Sequence, residues 1–172
     1  MRLYHVSEES NIIQFSPRIP TRADLDQSKG LVWALTEKCL PNFLMPRDCP
    51  RITYHASKST TQADITKFFS SSSRHCIAIE HAWYKRMTKT SLYLYEFDAS
   101  TFYLQDPCAG FYVSEQTQEP LSIIKIDHLF DELFKRDVEV RILNQLWKLA
   151  EEVQNSILNW SLCRMRNAMP KE

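Results

Sequence analysis

Two glycines in 172 residues, Gly30 and Gly110, set the tightest limit on what this chain can be. Ordinary usage of about 7% would supply roughly a dozen. Neither G-x-G-x-x-G nor G-x-x-x-x-G-K-[ST] can be written with so few, so folds that cradle phosphate in a glycine-rich turn are excluded. The G-x-S-x-G nucleophile elbow is excluded with them. A pocket that grips its ligand with side chains stays open. The glycines themselves read as punctuation, Gly30 opening a strand around Trp33 and Gly110 turning the chain before Tyr112.

Basic and acidic residues balance at 21 each, and non-specific nucleic-acid binders carry a basic excess, so that class is not expected. The opening MRLYHVSEESN has no apolar run of signal-peptide length, and no stretch approaches the roughly 20 apolar residues of a membrane span. A cytoplasmic protein without a membrane partner is the expectation. Five scattered cysteines (Cys39, Cys49, Cys76, Cys108, Cys163) form no C-x-x-C pair and read as reduced thiols. No histidine–cysteine spacing matches a zinc site, so no metal is expected.

Short β-prone runs fill the first two-thirds: Leu3–Ser7, Leu31–Leu35, Ile52–His55, Cys76–Glu80, Ser91–Phe97, Thr101–Leu104, Phe111–Ser114 and Leu121–Ile126. Asn11–Arg22, with Pro17 and Pro20, reads as an irregular edge segment, and the polar stretch Ser57–Ser73 as a mobile loop. His81–Thr88 suits a short helix. Near the end the period changes. Asp127 is a candidate N-cap before Leu129, Phe130, Leu133 and Phe134, and Leu146, Leu149, Ala150, Val153, Ile157 and Trp160 step at helical spacing. Val138–Leu143 fits either a strand or a helix entry. The pattern predicts one α+β domain over residues 1–172: a twisted, mainly antiparallel sheet with helices concentrated in the C-terminal third.

Three constellations can carry chemistry. On a first strand, His5 and Ser7 point to one face, where an imidazole and a hydroxyl can hold a ribose or move a proton. The block Pro46-Arg47-Asp48-Cys49-Pro50-Arg51 sets two arginines in proline-stiffened backbone, an arrangement that suits carboxylate or phosphate, with Cys49 between them as a nucleophile or a small buried hydrophobe. Glu115 and Glu119 follow a strand, where a carboxylate can act as base or stabilise a developing cation. Arg141, Arg164 and Arg166 are further cations. On a helix, Arg164 and Arg166 would diverge.

LYHVSE at the start, VWAL, PRDCPR, and RMRNA at the end together resemble a bacterial protein family with no assigned activity. The chain also resembles the ADP-ribosyltransferase-like fold in its histidine–tyrosine–glutamate branch. His5 and Ser7 match the first-strand element of that branch, Trp33 or Tyr54 its stacking aromatic, and Glu115 or Glu119 its acid. Val6 stands where the branch has a glycine. The resemblance implies NAD as a cofactor.

The expected partner is therefore a small anionic molecule or nucleotide, walled by His5, Ser7, Trp33, Arg47 and Arg51, with Glu115 or Glu119 in any catalytic role. The competing expectation is a non-enzymatic interaction module in which the arginines are structural.

Overall fold

The computed structural model describes residues 1–21, 24–107 and 110–171. Cys108 therefore lies outside the described residues. The chain forms two compact units, each assembled from two separated segments: 1–43 with 91–126, and 44–90 with 127–172.

The first unit is built on six strands, β1 (Leu3–Ser7), β2 (Val32–Thr36), β5 (Leu92–Phe97), β6 (Tyr103–Asp106), β7 (Phe111–Ser114) and β8 (Ser122–Ile126), ordered β6-β7-β2-β1-β5-β8. Every pairing is antiparallel. Aromatic and β-branched residues in alternation suit such a pleated, half-covered surface. Leu3 opposite Phe97 and Thr36, and Ala34 opposite Tyr112, set the register. Leu3, Val32, Ala34, Tyr95 and Phe97 form the buried patch of one face. Among the described residues, the backbone of segment 11–21 meets its neighbours through isolated bridges, Phe15 to Gln118 and Arg18 to Leu31, in keeping with its two prolines.

Gly110 closes the β6–β7 connection with φ +66°, and a Cβ there would sit 2.2 Å from the Cys39 sulfur. Only glycine meets both conditions.

The second unit holds β3 (Arg51–His55), β4 (His75–Glu80), β9 (Val138–Leu143) and β10 (Asn159–Cys163), ordered β10-β3-β4-β9, with β4 and β9 parallel. β4 is buried on both faces from Cys76 to Glu80, as a central strand beside a parallel neighbour must be. Four helices belong here: α1 (Gln62–Phe68), α2 (Tyr84–Met87), α3 (Leu129–Lys135) and α4 (Trp147–Gln154). Leu149, Ala150 and Val153 of α4 join Ile52, Tyr54, Phe68 and Cys76 in one core.

The α+β class holds, but two sheets replace the single one expected, and helices are spread along the chain. Ser57–Ser73 contains α1, capped by Thr61, whose hydroxyl accepts from the Asp64 amide; its apolar residues, Ala63, Ile65 and Phe68, are too few to reveal its period. The terminal helix is shorter than its spacing suggests. It ends at Gln154, Asn155 and Ser156 turn the chain, and Trp160 lies in β10 opposite Tyr54. Thus Arg164 follows a strand and takes a left-handed φ of 54°. Helix α3 begins after His128, which makes no side-chain cap, one residue later than an Asp127 cap implies.

Candidate functional site

Strand alternation and register place His5, Ser7, Tyr93, Tyr95, Tyr112 and Ser114 on one face of the six-stranded sheet. His5 is half-buried. Its Nδ1 lies 3.0 Å from the Trp33 carbonyl oxygen. A carbonyl only accepts, so Nδ1 carries the proton, and Nε2 is the basic nitrogen of the neutral ring. Phe15 packs on the imidazole at 4.8 Å and edge-on against Tyr95 and Phe97. The Tyr95 hydroxyl donates to the Glu9 carbonyl and accepts from the Ile12 amide, tying the covering segment to the sheet. Ser7 Oγ accepts from the Glu9 amide and so shapes the turn that leaves β1.

The same alternation sends the Trp33 side chain to the opposite face, where it meets Phe111 edge-on at 5.2 Å, with Phe43 beyond. Trp33 thus contributes its carbonyl to the His5 face and its ring to the other. Glu115 is exposed at the end of β7, accepting from Lys29 Nζ and the Tyr103 hydroxyl, both at 3.1 Å. Those two donors hold its carboxyl below the usual range, the lysine contributing most. Glu119 is exposed in the loop before β8.

The PRDCPR block belongs to the second unit, and its arginines part company. Arg47 is exposed. Arg51 is 6% exposed and donates to the Cys49 carbonyl at 3.1 Å. A two-armed arginine clamp on one anion does not form. Burial pushes the Cys49 thiol up to about 12, against the pull of Arg51 and Arg86, so no thiolate nucleophile exists near neutral pH. Tyr54, the other candidate aromatic, is fully buried, its hydroxyl donating to the Phe68 carbonyl.

Sequence reasoning missed Tyr93, Tyr112 and Ser114 as companions of His5, because only the pairing order brings β5, β2 and β7 alongside β1. Arg141, a further cation in the sequence reading, spans Glu139, the Phe68 carbonyl and Ser70 Oγ and fastens the end of α1 to β9. Among the described residues no three His, Cys, Asp or Glu side chains group as a metal site. Among the described residues no helix is long and apolar enough to cross a membrane. Two hollows, one of about 550 Å³ lined by Met1, Arg2, Tyr4, Thr36, Glu37 and Lys38, the other around Ser73 and Phe134, include none of the sequence-selected residues.

Two sheets, one carrying a half-covered histidine face, define a two-unit α+β protein. The chain belongs to a family of unknown function, DUF6886, whose model matches residues 4–168. No curated protein and no solved structure matches it.

Proposed function

We propose that the protein binds a small nucleotide-like molecule against the His5 face of its six-stranded sheet. The observation that carries this reading is the Trp33 carbonyl on His5 Nδ1, which fixes the tautomer and makes Nε2 an acceptor for a ribose hydroxyl or an amide N–H. Tyr93 and Tyr112, both half-buried on that face, supply flat aromatic surface for a planar ring. Arg47 and Arg51 belong to the second unit and take no part in this proposal.

The finer form of the proposal is ribosyl transfer from NAD. Glu115 is held by Tyr103, which pairs with Val113 on the Trp33 face, so Glu119, exposed before β8, is the carboxylate that would stabilise positive charge developing at the sugar carbon as nicotinamide leaves.

Thermal-shift titration with NAD, ADP-ribose and nicotinamide tests the binding reading. Saturable stabilisation by at least one of them, lost in a folded His5→Ala variant, is the expected result. No shift at millimolar concentration removes it. Release of nicotinamide from NAD, abolished by Glu119→Gln, tests the transfer step separately.

A second reading, a non-enzymatic interaction module, is favoured by a ring row in the second unit. His81, Tyr84, Phe130 and Phe134 follow one another at 6.4, 5.6 and 6.5 Å, with Tyr84 and Phe134 exposed. A ligand screen that fails on the wild type leaves this reading standing.

A further inference from the structure

Glu80 ends the central strand of the second unit with its side chain 1% exposed. Burying a carboxylate costs several kcal/mol unless charge or hydrogen bonds compensate. No cation forms a salt bridge with it among the described residues. Arg51 and Arg86 are close enough to bias the neighbouring Cys49 thiol, yet neither bonds to Glu80. Both carboxylate oxygens point instead at one backbone amide, that of Met169, at 3.0 and 3.1 Å.

The other half of Met169 is held as well. Trp147, the first residue of α4, donates its indole Nε1–H to the Met169 carbonyl at 2.6 Å. In an extended residue the N–H and C=O point to the same side, which is how one strand presents itself to another. An acceptor and a donor placed to meet both groups of a single residue therefore read peptide backbone, as a neighbouring strand would. Pro170 follows, and a residue before proline is confined to extended backbone. Proline also brings no N–H of its own to compete for the carboxylate. Two residues upstream, Asn167 Nδ2 donates to the Asp48 carbonyl at 2.8 Å and sets the approach of the segment. Met169 itself is 48% exposed, so side-chain burial does not explain the attachment.

We infer that Glu80 and Trp147 form a backbone-reading notch for an extended residue followed by proline, filled in this structure by the chain's own Met169-Pro170. A peptide of the same pattern is its ligand in trans. The resident segment competes at the high effective concentration that a short tether gives, so binding in trans is weak until that segment is displaced.

The Met169→Pro variant of the full chain removes the resident N–H without touching the notch. The probe is the peptide acetyl-Arg-Asn-Ala-Met-Pro-Lys-amide, with binding followed by isothermal titration calorimetry. We expect saturable binding to Met169→Pro at least roughly tenfold tighter than to wild type. We also expect roughly tenfold weakening, the size of one hydrogen bond, when Trp147→Phe is added. A control peptide N-methylated at the methionine amide, lacking the single N–H that Glu80 accepts, should not bind. Absence of binding by Met169→Pro, or equal binding of the methylated peptide, overturns the inference. Should Met169→Pro fail to fold, hydrogen exchange at the Met169 amide decides: Trp147→Phe in the otherwise native chain should speed it roughly tenfold, and an unchanged rate overturns the inference.

Discussion

The two units use their ionisable groups in opposite ways. In the six-stranded unit Arg2, Asp26, Lys29 and Glu115 are exposed and a hydrogen bond leads each shift, while at Tyr103 burial leads and the Glu115 hydrogen bond follows. In the four-stranded unit burial leads at Cys49, Tyr54 and Cys76, which it raises, and at Arg51 and His75, which it lowers, whereas the Lys135 hydrogen bond leads at Glu132. The first unit therefore keeps most of its shifted groups at the surface, whereas the second buries most of its own. For that reason the proposed ligand face lies on β1, although PRDCPR is the more conspicuous block in the sequence.

Arginine substitutions probe this contrast within one short block. Arg51→Ala removes a buried stem and leaves the Cys49 carbonyl without that donor, and should cost about 3 kcal/mol in urea unfolding. Arg47→Ala, at an exposed position, should stay within about 0.5 kcal/mol. Equal losses would break the comparison.

Next in size is an acid response. Burial, reinforced by His55 across the strand pair, lowers His75 to about 4. Its unfolded value is near 6.5, so the unfolded state takes up the proton first as pH falls. Stability is therefore full above about pH 6.5, declines through the interval down to about 4, and levels off below, by up to about 3 kcal/mol. His75→Phe should flatten that part of the unfolding profile, and an unaltered slope would count against a sealed second unit.

His5→Ala should cost only about 1–2 kcal/mol, from one hydrogen bond and the Phe15 contact, while removing any ligand response. The smallest effect is chemical rather than energetic. With the thiols of Cys49 and Cys76 raised to about 12 and about 11, neither should react with a thiol reagent at pH 8 before unfolding.

Much of this architecture was legible. The strands at Leu3–Ser7, Ile52–His55, Cys76–Glu80 and Phe111–Ser114 follow from alternation and β-prone composition, and all are present. What alternation does not carry is partnership. Nothing local tells Ile52 to pair in a different sheet from Trp33, or shows that β9 should lie parallel to β4. The site divides in the same way. That His5 and Ser7 share a face follows from a period of two, yet Trp33 turning its ring to the other side depends on the β1–β2 register. Arg47 and Arg51 looked like a pair because proximity in sequence was all there was to judge by, and their burial separates them.

The parallel contact between β4 and β9 bears on how the molecule comes to be folded. β4 is finished early in the chain, but its neighbour arrives only after Ser91–Ile126 has been made, a stretch that goes to the other unit. Pairings between strands so distant in sequence form late, because the intervening loop must close before the contacts repay its entropy. The antiparallel β3–β4 pair can assemble well before that. During synthesis, the flank of β4 that β9 later covers would be a bare strand edge, the kind of surface that invites another chain. On this view the slow step of folding is the capture of β9, after which the short connection through α4 holds β10 close to β3, and substitutions at Val138 or Val140 should retard refolding more than equally destabilising ones in β10.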